Sequence, residues 1–345
     1  MTRRGFLGTS ALATAALMGD AARAANSIAI TDADCPTVRP PRLRAGSHAR
    51  LVSPAGALRG PGQLADGRRA LERLGLTVTE GRHALARSGY LAGTDQQRAD
   101  DLMEAFLDPS VDAILCTRGG WGCARILPLL DYAAIRDNPT VLIGYSDITA
   151  LHTAIYARSG LATYHGPTGI SGFNGFTVRS LRSVVFDAEP ARLANEIDEA
   201  EPSSRPQTIT SGRASGILVG GNLSVFAALV GTPYMPDTRG HVLFLEDIGE
   251  DIYRVDRMLT QLALGGVLGG VAGIAMGQCT RCRPDGEDSF TLDEVYRHHF
   301  GGLGAPVYSN ASIGHIADKL TVPVGIPAEI DADEGTLTLT MPAVV

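Results

Sequence analysis

The chain has 345 residues, 44% of them apolar, 19% charged and 6% aromatic, and carries a formal net charge of −7. That length suits about two domains, since single cores stop growing near ~250–300 residues, and the acidic balance argues against nucleic acid as a partner. Its 41 glycines suit an α/β protein with many tight strand–helix turns, and no sustained heptad, low-complexity tract or internal repeat is evident.

Residues 1–24 read as a twin-arginine signal peptide. Arg3-Arg4 is followed by a weakly apolar stretch to Met18 and by the small-x-small site Ala22-Arg23-Ala24. The apolar run is too short to cross a bilayer, so no membrane span is expected. The expected location is periplasmic or otherwise extracytoplasmic, reached by the twin-arginine route. Residues 25–47, with Pro36, Pro40 and Pro41, read as an irregular leader.

From Ala49 the pattern alternates. A strand over 49–53 precedes a helix over 61–74 with Leu64, Leu71 and Leu74 on one face, and a second strand covers 76–79. Thr94-x-x-Gln97 is a capping box opening a helix to Leu107, which Asp108-Pro109 stops. A third strand, 111–117, leads into Arg118-Gly119-Gly120-Trp121-Gly122, and a helix with Ile126, Leu127, Leu130 and Ile135 follows, kinked at Pro128. Val141 to Gly144 then reads as a buried strand that ends at Tyr145-Ser146-Asp147 and a further helix. Such alternation predicts a parallel sheet with helices on both faces. Ligands then bind beyond the carboxyl ends of the strands, where the glycine loop and Ser146 both fall.

Residues 187–213 are acidic and contain Pro190, Pro202 and Pro206, so a linker is expected there. Beyond it, a strand over 214–219 turns at Gly220-Gly221-Asn222-Leu223 into an apolar helix over 224–230. The strand 241–245 ends at Glu246 and Asp247, before a helix with Ile252, Val255, Met258, Leu259 and Leu262 on its apolar face. A strand over 271–276 follows. Thr291-x-x-Glu294 is a second capping box, and a loop carries Ser309, Asn310, Ile313, Gly314 and His315. Strands over 322–324 and 336–340 close the chain. The expected fold class is α/β. A Rossmann-like parallel-sheet domain with a nucleophile elbow covers 48–186, and a smaller β-rich α/β domain covers 214–345.

A serine between a strand end and a helix start has an exposed hydroxyl beside unpaired backbone N–H groups, which suits a nucleophile whose reaction develops an oxyanion. Helix capping by Ser146 or Asp147 is the plainer alternative. The glycine loop lacks G-x-G-x-x-G and a G-K-[ST] ending, so it reads as a candidate oxyanion loop or a tight turn and not as a phosphate cradle. Of eight histidines, His152 lies six residues past Ser146 on the same helix and off its face, which makes it a poor base. His165 is possible, and His315 sits in a glycine-flanked loop, the usual place for a mobile imidazole. Glu246 stands out because a strand would fix it. The five cysteines are Cys35, Cys116, Cys123, Cys279 and Cys282, an odd number that leaves at least one unpaired. Cys279-x-x-Cys282 admits a local disulfide, a redox pair or half a zinc site. Zinc would require Cys116 and Cys123, whose spacing is unusual for it, so no metal is expected.

The blocks R-G-G-W-G (118–122), G-Y-S-D-I-T-A-L-H (144–152), G-G-N-L (220–223), G-T-P-Y (231–234), L-E-D-I-G-E-D-I-Y-R-V-D-R-M-L (245–259) and G-H (314–315) resemble the LD-carboxypeptidases. These serine peptidases include murein tetrapeptide carboxypeptidases and microcin-immunity enzymes. The resemblance implies Ser146 as nucleophile, Glu246 and His315 as its triad partners, and an oxyanion hole from the backbone of Asp147 and of Gly119 or Gly120. It also implies a murein peptide substrate losing a terminal D-amino acid, no cofactor, and a homodimer. Arg118, Trp121 and Asn222 are candidate substrate contacts. The alternatives are a microcin-immunity peptidase acting on peptidyl-nucleotide antibiotics and a non-catalytic muropeptide-binding protein.

Overall fold

The computed structural model describes residues 37–197, 199 and 205–345. The twin-arginine segment, residues 25–36 of the leader and Cys35 lie outside the described residues.

The first sheet is built on His48–Val52 (β1), Thr77–Glu80 (β2), Ala113–Cys116 (β3), Val141–Gly144 (β4) and Thr163–His165 (β5). They run parallel in the order 2-1-3-4-5, a doubly wound arrangement whose order reverses between β1 and β3. The central strands β3 and β4 are buried at every residue, as expected for strands covered on both faces. Pro61–Arg73 (α1), Asp95–Leu107 (α2), Cys123–Ile126 (α3) and Tyr132–Asp137 (α4) make crossovers. The Thr94–Gln97 capping box is formed in both directions. The helix expected after the glycine loop is broken into α3, a 3-10 turn at Leu127–Leu129 and α4, because Pro128 lacks the N–H that would continue it.

Thr149–Ser159 (α5) follows Ser146, and ten of its eleven residues are buried. A helix apolar all round needs cover on every side, and α5 has it because the second sheet packs on its far face. Gly175–Val185 (α6) completes the first half.

The second sheet contains Arg192–Leu193 (β6), Gln207–Thr210 (β7), Arg213–Asn222 (β8), Val242–Ile248 (β9), Gly273–Thr280 (β10) and Val307–Ala311 (β11). Strands β8 to β11 are mutually parallel. Leu223–Ala227 (α7), Ile252–Leu264 (α8) and Leu292–Phe300 (α9) connect them. Val322–Val324 (β12) then crosses back and pairs antiparallel with β5 of the first sheet. Pro327–Asp331 (β13) and Thr336–Leu339 (β14) return to the second, giving eight strands ordered 6-14-13-8-9-10-11-7. Two differences from the sequence reading stand out. The stretch read as a linker supplies strands at both edges of the second sheet, β6 and β7. Ser309 and Asn310, read as loop, belong to the parallel strand Val307–Ala311 (β11).

The halves are interlocked. Besides β12, the C-terminal Val345 N–H donates to Pro40 O and its carbonyl accepts from Arg42 N–H. On α6, the Ser180 hydroxyl accepts from Thr321 N–H.

Gly220 (φ +144°) is the most tightly enclosed glycine among the described residues: an added Cβ would lie 1.8 Å from the Phe244 carbonyl oxygen of the neighbouring strand. Strain at that φ and overpacking each carry ~1–3 kcal/mol, so Gly220→Ala is expected to destabilise the protein by about 3 kcal/mol. Its urea midpoint should fall sharply. An unchanged midpoint would contradict the contact.

Candidate active site

Ser146 sits on a sharp turn between β4 and α5. Its φ is +67°, a left-handed conformation that a side chain adopts at some cost and that recurs in strained nucleophile turns. Neither Ser146 nor Asp147 caps the helix. Ser146–Ile148 forms a 3-10 turn, and the Asp147 carboxylate accepts from Cys123 N–H at 2.9 Å, tying the serine turn to α3. Asp147 is nearly buried, and that burial raises its pKa above the usual carboxylate value.

The glycine loop after β3 closes over the serine. An added Cβ on Gly119 would lie 2.6 Å from Ser146 Cβ and 2.9 Å from its Oγ, so only glycine lets the loop backbone come this near. Gly120, at φ +121°, turns the chain against Gly56, and Gly56 N–H donates to the Gly119 carbonyl at 3.2 Å.

The second half of the chain brings Glu246 and His315 together. Glu246 lies within β9, not after it, and is fully buried. Its Oε2 is 2.8 Å from His315 Nδ1, while Oε1 is buried without a hydrogen-bond partner. Two glycines give the carboxylate room: a Cβ on Gly314 (φ +121°) would lie 2.6 Å from Oε2, and one on Gly277 3.0 Å from Glu246 Cβ. The loop carrying His315 is held from the first half, where Asn174 and Thr177 on α6 both donate to the Ala317 carbonyl.

A cavity of about 380 Å³ collects Ser146, the Gly119–Gly120 backbone, Asp147, Arg118, Trp121, Asn222 and His315. All the expected site residues except the fully buried Glu246 thus border one space, and Glu246 reaches it through His315. Within the described residues no hydrogen bond joins Ser146 to His315; such bonds are often long before substrate binds. Arg118 donates from Nη1 to Ala57 O at 3.1 Å and keeps a buried Nε without a partner. Trp121 is 63% exposed on the rim, edge-on to Tyr90. The Asn222 side chain is already engaged: it donates to Asp247 and accepts from Ser224 Oγ and Val225 N–H.

Sequence reasoning missed three contributors. The Tyr145 ring packs edge-on against His315, with centroids 4.8 Å apart. Lys319 places its ammonium 5.0 Å from the Tyr145 ring and donates to Ile316 O. Glu250 also lines the cavity. Tyr145 adjoins the nucleophile candidate and Lys319 lies four residues beyond His315, but only the fold shows that they meet.

Residues 49–166 match the LD-carboxypeptidase N-terminal domain, and residues 215–330 match the LD-carboxypeptidase C-terminal domain. The chain belongs to the LD-carboxypeptidase family. A Streptomyces coelicolor relative, provisionally named a carboxypeptidase, is 43% identical over 89% of this chain and 97% of its own. The murein tetrapeptide carboxypeptidase of Pseudomonas aeruginosa is 34% identical over 82% of this chain and 92% of its own. Among solved structures, the microcin C7 self-immunity protein MccF in complex with glutamyl sulfamoyl guanosine superposes with a TM-score of 0.81 at 26% identity, covering 89% of this chain and 99% of that one. Family membership and the relatives' names indicate a carboxypeptidase of the serine LD type.

Behind the site, this LD-carboxypeptidase buries two histidines. His152 contacts Gly144 O through Nε2 at 2.9 Å, and burial lowers its pKa to about 4. His165 is buried against Phe244 with neither ring nitrogen bonded, and burial, then His152, push its pKa down in the same direction. No group of three or more metal-ligating side chains occurs among the described residues. The His152 shift sets a pH dependence. Above pH ~6.5 the ring is neutral folded and unfolded, so its packing contributes fully; as pH falls toward 4 the unfolded chain takes up a proton that the folded chain refuses. With the ring's pKa held down at about 4, folding stability is expected to drop by about 3 kcal/mol across that window. His152→Gln should flatten that drop in urea titrations at successive pH values. Parallel wild-type and variant profiles would contradict it.

Proposed function

We propose that the protein is a serine LD-carboxypeptidase that hydrolyses the L,D-peptide bond of murein tetrapeptides and releases the terminal D-alanine. The observation that carries this reading is the 2.8 Å Glu246–His315 pair facing the cavity that holds strained Ser146. With Nδ1–H donating to Glu246, the imidazole keeps Nε2 free as an acceptor. Nε2 takes the proton of Ser146 as Oγ attacks the carbonyl before the D-residue, then gives it to the leaving amine. Glu246 fixes the tautomer and stabilises the imidazolium. Its burial strengthens that interaction, because little solvent screens it.

The tetrahedral oxyanion is assigned to the backbone N–H groups of Asp147 and of Gly119 or Gly120, each such donor being worth ~2.7–4 kcal/mol. Water then cleaves the acyl-enzyme by the same route in reverse. Exo-cleavage requires a cation to read the terminal carboxylate, and Arg118, which lines the cavity, is assigned that role. Trp121 is assigned to the rim of the binding groove. Asn222 is assigned to shaping the wall, since its own polar atoms are engaged.

The MccF neighbour bound to an aminoacyl sulfamoyl nucleoside favours a second reading, in which the same triad acts on a peptidyl-nucleotide antibiotic. Purified murein tetrapeptide and an aminoacyl sulfamoyl adenosine, offered in parallel and followed by mass spectrometry, separate the two. Release of D-alanine is expected, with Ser146→Ala and His315→Ala each slower by at least about 10⁴-fold. Undiminished D-alanine release by Ser146→Ala would remove the nucleophile assignment.

A further inference from the structure

Cys279 and Cys282 lie outside the catalytic reading and are both free thiols. Cys279 belongs to the end of β10, and Cys282 closes a tight turn in which its N–H donates to Cys279 O at 3.3 Å. Arg281 holds φ +57° within that turn. A turn of this kind brings its first and fourth Cα atoms within about 7 Å, which overlaps the span a disulfide bridges. Cys279 Sγ lies 3.0 Å from the Tyr296 hydroxyl. A second cavity, about 450 Å³, opens over Cys279, Gln278, Thr280 and Tyr296, and Cys282 is partly exposed at the end of the turn.

The turn is bonded to the wall of the catalytic cavity. Gly249 N–H donates to Thr280 O, Arg283 N–H to Glu250 O, and Ile252 N–H to Arg283 O. In the sheet register Cys279 faces Asp247 and Thr280 faces Ile248. Asp247, Ile248 and Glu250 line the space that Ser146 and His315 share.

We propose that Cys279 and Cys282 are a reversible dithiol–disulfide couple that exchanges with small aliphatic disulfides and sets the position of the 247–250 wall. The Cys282 thiolate attacks one sulfur of the incoming disulfide, whose S–S bond breaks and whose other half leaves as a thiolate that takes up a proton. Cys279 then loses its proton and attacks Cys282 Sγ, expelling the second half as a thiol. The two cysteines are oxidised by two electrons, and one disulfide is reduced to two thiols. The order of attack follows from the pair's surroundings: Cys282 is partly exposed at the end of the turn, whereas the Cys279 sulfur packs against the Tyr296 hydroxyl. The neighbouring Cys279 thiol holds the pKa of Cys282 down, while Cys282 and burial together raise that of Cys279.

The test uses the full chain carrying Cys35→Ser, equilibrated in glutathione buffers from reducing to oxidising, alkylated, and read by peptide mass spectrometry and hydrogen exchange. At the oxidising end the peptide holding Cys279 and Cys282 is expected to lose both alkylatable thiols and two hydrogens, and the amides of 249–252 to exchange more slowly. Adding Cys279→Ser is expected to stop the reaction at a mixed disulfide on Cys282. Two thiols that stay alkylatable throughout, or a wild-type pair that holds glutathione without closing, would overturn the couple. Unchanged exchange over 249–252 would overturn its link to the cavity. These readouts do not depend on the peptidase assignment.

Discussion

The structure depends on one close contact between its halves, where the end of β8 meets the start of α5. Gly221 has φ +140° and no room for a side chain, since an added Cβ would lie 2.4 Å from Thr149 Oγ1. That oxygen accepts from Asn222 N–H at 2.8 Å. Thr149 is three residues past Ser146, and Asn222 is paired in register with Glu246. A short chain of contacts therefore runs from the serine turn through Thr149 and Asn222 to Glu246 and on to His315. Each step is rigid, being a strand pairing, a helix start or a buried hydrogen bond, as a site that must hold its geometry requires.

This contact explains why α5 is buried on nearly all sides and why the second half threads back through β12. A two-domain site joined only by a hinge would lose its alignment with every domain motion. Here the His315 loop is gripped by α6, and the C-terminal residues pair with the first described residues. The interior also carries costs. Two uncharged histidines, a carboxylate with one unpartnered oxygen and a serine at positive φ all sit within or behind the site. Buried polar groups and strain of this kind persist only where the surrounding packing over-determines them.

The sequence made half of this visible. The alternating strands and helices of the first half, both capping boxes and the two glycine turns at strand ends were legible because each rests on local chemistry. Glu246 could be singled out, but its strand extends through Asp247 to Ile248, since hydrogen bonding to neighbours lets carboxylates stay inside a sheet. Strands β6, β7, β11 and β13 were harder, and β12 was legible as a strand but its partner was not. The polar Gln207–Thr210 forms an edge strand, and Val322–Val324 joins a sheet built over a hundred residues earlier. Partners that distant leave no periodic trace. Asn222, a candidate substrate contact, borders the cavity while its side chain caps α7 and holds Asp247, an engagement that its neighbours in sequence do not reveal.

The central claim is that Ser146 gains its reactivity from a pair delivered by the other half of the fold. Covalent labelling measures this most directly: a fluorophosphonate probe, followed by mass spectrometry of the adduct site, on the wild type and on Glu246→Gln. The account expects a single adduct at Ser146, formed far more slowly in the variant while its thermal unfolding stays cooperative. Labelling of Ser146 at the same rate in both proteins, or an adduct on a different residue, would contradict it.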